Sequence, residues 1–194
     1  MVQEPNPSIE RTFQGPLRAL WPAAQCRTLA PRRARTVQLV WLTGIASLIL
    51  FAGLAWYLAP LEPGVLALQF AFTPRAFAQV VHAWSPEHLI RYRSHLPFDF
   101  LLLACYGTFG YLLASRSRLF ARYTRSIRTA AVLALPLAAV FDATENALHW
   151  WLTEIPRFGV VLPYLVSATC STLKWALLVG FAIAVVHALA RAEG

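Results

Sequence analysis

Four long apolar segments, separated by polar stretches rich in arginine or proline, make up most of the chain. They lie near residues 37–59, 97–115, 129–152 and 160–190. Each is close in length to the ~20 residues that a helix needs to cross ~30 Å of hydrocarbon. The pattern predicts an all-α integral membrane four-helix bundle.

The connection between the first two segments, residues 60–96, is long enough to carry structure of its own. The pairs Thr73-Pro74 and Ser85-Pro86 each combine an N-cap residue with a first-turn proline, which predicts a helix starting at each point. Residues 66–72 alternate large and small side chains, which indicates a short extended segment. We therefore expect a mainly helical insertion on the outer face of the bundle.

Large apolar side chains occur throughout this insertion, and on an isolated loop they would form an exposed patch of unusual size. We therefore expect the insertion to pack on the mouth of the bundle. The side chains concerned are Leu68, Phe70, Phe72, Phe77 and Trp84. The histidines of the insertion, His82, His88 and His95, have a spacing that suits no metal-ligand set, and we expect them to face solvent.

The composition of the whole chain also indicates a membrane protein. Of its 194 residues, 58% are hydrophobic, and the formal net charge is +8. The basic charge is concentrated in arginine runs next to apolar segments, whereas a nucleic-acid-binding surface interleaves basic and aromatic residues on a soluble face. We expect the lipid bilayer, and no nucleic acid, as a partner.

The arginines are distributed unequally between the two sides of the predicted bundle. Twelve lie before the first segment, between the second and third segments, or at the C-terminus, against four on the other side. This bias predicts that both termini are cytoplasmic. Residues 1–36 then form a basic, partly disordered cytoplasmic tail, residues 37–190 a single membrane domain, and residues 191–194 a short cytoplasmic end.

The third apolar segment carries four polar side chains along one helical stripe. Asp142, Glu145, Asn146 and His149 occur at positions i, i+3, i+4 and i+7. An ionisable group near the bilayer centre costs at least ~2.5 kcal/mol, so this stripe must face the interior of a bundle or a watery cavity.

Lys174 is the only lysine of the chain and lies in the middle of the fourth apolar segment. A short turn joins the third and fourth segments, which makes them antiparallel neighbours and brings Lys174 to a depth similar to that of Asp142. We therefore predict a buried polar network that is either structural or ligand-binding. Its residues are Asp142, Glu145, Asn146 and Lys174, with Asp99, Tyr106 and His149 around them.

Asp99, near the start of the second segment, has two interpretations. The carboxylate can be a first-turn acid that the helix dipole stabilises. It can also form the outer lip of the polar network, because Tyr106 lies seven residues further on the same stripe. Both interpretations stay open at this point.

Three runs of residues give the chain a resemblance to a group of small bacterial four-span integral membrane proteins. They are residues 68–84, residues 96–100 with Tyr106-Gly107, and the run Asp142-x-x-Glu145-Asn146, which is the most specific of the three. The resemblance implies a shared architecture with an insertion after the first span, in the plasma (inner) membrane of a bacterium. It implies no activity, and the Arg/Pro-rich tail departs from the compact pattern of the group.

Three kinds of function are consistent with a buried network of this kind. The primary hypothesis is a non-enzymatic structural or accessory component of the membrane, as a homo-oligomer or within a larger complex, in which the charges fix helix register. The alternative is a binding or proton-coupled transport module for a small amphiphile. The second alternative is an intramembrane enzyme that uses Asp142, Glu145 and His149 as acid and base groups. No complete metal-ligand set is evident, and we expect no cofactor.

Overall fold

A computed structural model describes residues 22–154 and 159–191, with side chains described from Arg35 onward. Within these ranges every regular element is an α-helix. The helices are α1 (Pro22–Leu58), α2 (Val65–Gln69), α3 (Pro74–Ala83), α4 (Pro86–Arg116), α5 (Arg125–Glu154) and α6 (Leu162–Ala190).

Four segments of these helices are long and apolar enough to cross a membrane. They are Arg35–Leu58, Pro86–Arg116, Arg125–Glu154 and Leu162–Ala190. The predicted all-α fold with four spanning helices is thereby confirmed. The chain is a multi-pass helical membrane protein.

The chain divides into two compact units, Met1–Gln38 and Leu39–Gly194. In the first unit the described backbone, from Pro22 on, is helical, and the first part of the predicted tail, residues 1–21, lies outside the described residues. Residues 192–194 of the predicted C-terminal end also lie outside them. The remaining description concerns the second unit.

Helix α4 begins eleven residues before the predicted start of the second span, at Pro86 and not at Pro97. Ser85 caps it, because its Oγ accepts a hydrogen bond from His88 N at 3.2 Å. A proline inside a helix costs roughly 3 kcal/mol. The helix continues through Pro97 because the residues before it pack in the interior, with Tyr92 1% and Leu96 0% exposed.

The insertion is helical in both of its elements, so the prediction of an extended segment over residues 66–72 is wrong. Without a neighbouring strand, this stretch satisfies its backbone locally as the single turn of α2. The predicted start of α3 is confirmed, since Thr73 Oγ1 accepts from Ala76 N at 3.2 Å.

The insertion packs onto one end of the bundle. Leu68, Phe77 and Trp84 are buried in a cluster with Leu152 of α5 and Tyr164 of α6. Of the five side chains predicted to pack there, these three do so. The other two, Phe70 and Phe72, are 42% and 41% exposed.

Helix α5 is the centre of the bundle and packs closely against both α4 and α6. Small residues bring α4 and α5 together: a Cβ atom added at Gly107 would lie 3.1 Å from Ala139 Cβ. Helix α1 is different within the second unit, because no residue between Leu39 and Leu58 is buried. This part of α1 therefore lies beside a core formed by α4, α5 and α6, and its side chains are not buried in that core.

Candidate functional site

Lys174 joins α6 to α5 through two carboxylates. Its Nζ atom donates a hydrogen bond to Asp142 Oδ1 at 2.9 Å and lies 2.7 Å from Glu145 Oε2. All three side chains are buried, Glu145 completely. The structure thus brings together the lysine and the two carboxylates that were matched by depth along their helices.

Asp99 and Tyr106 connect α4 to the same group of residues on α5. The Tyr106 hydroxyl donates to Asp142 Oδ2 at 2.9 Å, and Asn146 Nδ2 donates to Asp99 Oδ2 at 2.6 Å. Because α4 starts at Pro86, Asp99 is more than three turns from the helix N-terminus. The interpretation of Asp99 as a first-turn acid is therefore wrong, and its place is within the network.

His149 lies at the end of the network that faces the insertion. Its Nδ1 atom is 2.6 Å from the hydroxyl of Tyr92 and 4.0 Å from Glu145 Oε1. The sequence analysis missed Tyr92, although a signal was present. Tyr92, Asp99 and Tyr106 are spaced seven residues apart, which places them on one face of α4.

His95 is a second residue that the sequence analysis misplaced. It was expected to face solvent with His82 and His88, but its side chain is buried, at 5% exposure. The cause is the continuation of α4 past Pro97, which turns His95 into the bundle one turn before Asp99. Its Nδ1 atom hydrogen-bonds the backbone carbonyl of Tyr92.

Two polar groups in the core are incompletely satisfied. Within the described residues, neither carboxylate oxygen of Glu145 has an aligned hydrogen-bond donor. The buried hydroxyl of Ser167 also has no hydrogen-bond partner there. The 2.7 Å contact between Lys174 and Glu145 is therefore an ion pair with poor hydrogen-bond alignment. Buried polar groups in this state are uncommon in folded proteins.

A cavity of about 890 Å³ separates α1 from the three-helix core. Helix α1 forms one wall from Gly44 to Leu58, α4 and α6 form the sides, and Leu135 and Asp142 of α5 lie at the floor. At Gly44 the wall meets α4, since a Cβ atom there would be 2.9 Å from the Phe109 ring.

The other end of the cavity lies under the insertion. Residues 64–67 and Gln69 line it there. Gln69 Oε1 accepts a hydrogen bond from Trp175 Nε1 at 3.0 Å, which ties α2 to α6. From Gly44 to Leu58 the wall is fifteen residues long, which spans ~21 Å along a helix. The cavity is thus an elongated slot parallel to the spans.

Most of the cavity lining is apolar, and its ionisable groups are gathered at one place. They are His95, Asp99, Tyr106, Asp142 and Lys174. Four of the seven residues predicted for the network are therefore part of the cavity lining. The other three, Glu145, Asn146 and His149, are not part of it. Across the part of the chain that the structure describes, no group of three or more His, Cys, Asp or Glu residues is arranged to hold a metal ion.

No protein-family model, curated protein or solved structure matches this chain. Function is therefore inferred from the network and the cavity.

Proposed function

We propose that this chain is a non-enzymatic membrane protein that binds a small amphiphile in the cavity beside α1. The apolar tail lies along the α1 wall, and the polar head reaches the ionisable groups on the floor. This is the binding hypothesis drawn from the sequence, without transport, because four spans without an inverted repeat are few for a transporter.

The observation that carries the proposal is the division of the cavity into an apolar slot and one polar site. Its 890 Å³ is at the upper end of the ~300–1,000 Å³ typical of ligand pockets, which are mostly apolar with a few convergent polar groups. Phe51, Leu54 and Leu102 line the slot, whereas Asp99 and Asp142 mark the polar site. An amphiphile has the same two parts.

The two other hypotheses account for less of this geometry. A purely structural network needs Lys174 between its carboxylates, but it needs no cavity beside them. An enzyme based on Asp142, Glu145 and His149 would need all three to reach a substrate. Only Asp142 lines the cavity, and the other two are at most 1% exposed.

The proposed location is the plasma membrane of a bacterium, with both termini in the cytoplasm. Arg116, Arg118, Arg122 and Arg125 lie at the end of the bundle opposite the insertion, as does Arg191. This arrangement supports a cytoplasmic position for that end by the positive-inside rule. The insertion, and the end of the cavity beneath it, then lie on the outer side.

The test is saturable binding of a labelled single-chain alcohol, dodecanol, to the purified protein in maltoside micelles. Ala55 lines the cavity, whereas Ala52 on the same helix does not. The Ala55→Trp variant should fill the slot and abolish binding, and the matched variant Ala52→Trp should bind like the wild type. Both sites lie between Leu39 and Leu58 of α1, where no residue is buried, so neither change should unfold the core. Equal binding by the two variants, or none by the wild type, would refute the proposal.

A further inference from the structure

The polar site of the cavity holds more negative than positive groups. The carboxylates of Asp99, Asp142 and Glu145 lie in or beside this site, and Lys174 is the only lysine or arginine that pairs with any of them among the described residues. Lys174 is shared by Asp142 and Glu145. No ion pair joins Asp99 to a cation in the described ranges, so its carboxylate has only the amide of Asn146 as a donor.

His95 adds an acceptor next to this carboxylate. It precedes Asp99 by four residues on α4, so both side chains lie on the same face, and both line the cavity. A carbonyl oxygen can only accept, so the contact with the Tyr92 carbonyl places a proton on His95 Nδ1. In the neutral ring Nε2 is then an acceptor. No hydrogen bond to that atom is found in the described part of the chain.

The cation and the hydroxyl of the site are directed at carboxylates other than Asp99. Lys174 directs its ammonium to Asp142 and Glu145, and the Tyr106 hydroxyl donates to Asp142. A ligand head that carries negative charge would be repelled by Asp99, which forms no ion pair with a cation in the described residues. A ligand head that donates and carries positive charge would meet the Asp99 carboxylate, which has only the Asn146 amide as a donor, and an imidazole nitrogen that has none.

We propose that the cavity selects amphiphiles with a primary ammonium head, which binds between Asp99 and His95. This inference rests on the proposed amphiphile binding and adds the chemical class of the ligand. The ammonium group supplies three donors and one positive charge, which matches the two acceptors and reduces the charge excess. A buried charge is tolerated when it is paired and hydrogen-bonded in this way.

The experiment compares single-chain compounds that share a dodecyl tail and differ only in the head. Dodecylammonium, dodecyltrimethylammonium, dodecanol and dodecanoate compete for the wild-type protein against labelled dodecanol. We expect dodecylammonium to bind about tenfold more tightly than dodecanol, as one charge-assisted hydrogen bond provides. The trimethylammonium compound, which has the charge without the donors, should fall between them, and dodecanoate should bind most weakly.

The Asp99→Asn variant identifies the contact. It should lose about tenfold in affinity for dodecylammonium relative to its affinity for dodecanol, since one hydrogen bond to a charged group is removed. The matched control is Glu87→Gln, which removes a carboxylate that is exposed at the start of the same helix. That variant should bind all four compounds like the wild type.

The outcomes separate this inference from the proposed function. If the four compounds compete equally and Ala55→Trp still abolishes binding, the cavity binds amphiphiles but the ammonium preference is wrong. If Asp99→Asn leaves the preference intact, the head does not bind at Asp99. In that case the negative charge of Asp99 does not select the head, and the inference fails. Should Asp99→Asn fail to fold, the ranking of the four heads on the wild type still decides the preference.

Discussion

The hydroxyl of Tyr92 lies 2.6 Å from Nδ1 of His149, although the two residues are 57 positions apart in the sequence. Both side chains are at most 1% exposed. The pair joins α4 to α5 directly beneath the insertion, where Trp84 packs on the Tyr92 ring with centroids 4.9 Å apart. It therefore couples the packing of the insertion to the polar network.

Replacing Tyr92 by phenylalanine should leave His149 Nδ1 without its partner in a dry environment. A buried polar atom in this state costs about 1–3 kcal/mol, and we expect Tyr92→Phe to lower the free energy of unfolding by that amount. Reversible unfolding in mixed micelles provides the measurement. Tyr111→Phe, at a 44% exposed position of the same helix, is the control and should change little. Equal stability of the two variants would show that the contact contributes nothing.

Replacing Lys174 by methionine should be more damaging. The change leaves Asp142 and Glu145 buried without their cation, and breaking a buried pair typically costs ~3–5 kcal/mol. Adding Asp142→Asn and Glu145→Gln removes the unpaired charges and should restore much of the stability. The same unfolding assay compares the single and the triple variant.

The control for the Lys174 experiment is Arg93→Met. Arg93 pairs with Glu154 at 3.3 Å, but Glu154 is 57% exposed. Exposed pairs contribute about 0–1 kcal/mol, so this variant should be close to the wild type. A silent Lys174→Met change, or a triple variant no more stable than the single one, would be evidence against a structural role of the ion pairs.

Gly110 should not tolerate a methyl group. A Cβ atom added at Gly110 would lie 2.6 Å from Leu135 Cγ, where α4 contacts α5. The two helices are closely packed, so neither can easily move away. Gly110→Ala should therefore destabilise the protein by about 1–3 kcal/mol, as overpacking does. Gly53→Ala is the matched change, since no atom lies within 4 Å of its added Cβ. It should be neutral or slightly stabilising, and thermal unfolding of the two variants would decide.

The orientation in the membrane can be tested by labelling single cysteines in intact cells, after Cys26, Cys105 and Cys170 are replaced by serine. An impermeant thiol reagent should label Glu87→Cys, next to the insertion. It should not label Arg122→Cys at the arginine-rich end. Both positions are exposed in the structure, so a difference reports the side of the membrane. The reverse pattern would invert the proposed topology.

The parts of the fold that depend on local patterns were predictable from the sequence. The number of spans follows from the apolar runs, and Thr73 and Ser85 give their helix starts through side-chain caps. The pairing of Lys174 with Asp142 followed from equal depth on two helices joined by a short turn. In each case the determining residues lie close together, or their separation is fixed by helix geometry.

The errors concern features that depend on tertiary packing. Pro97 ends a helix on local grounds, but Tyr92 and Leu96 pack on the core and keep α4 continuous. This continuation changes the environment of His95 from solvent to the cavity. The cavity itself could not be predicted, because α1 has an ordinary apolar sequence and its separation from the core leaves no local pattern.

The two carboxylates that pair with Lys174 also constrain how the chain enters the membrane. Synthesis delivers Asp142 and Glu145 to the bilayer about thirty residues before Lys174. On insertion scales an ionised aspartate at mid-membrane costs ~2.5–3.5 kcal/mol. Helix α5 alone is therefore a poor candidate for stable integration, and its partner cation arrives only with α6. The two helices are expected to leave the insertion machinery together as a hairpin, with α5 held in a protein-lined or hydrated environment until Lys174 has been made.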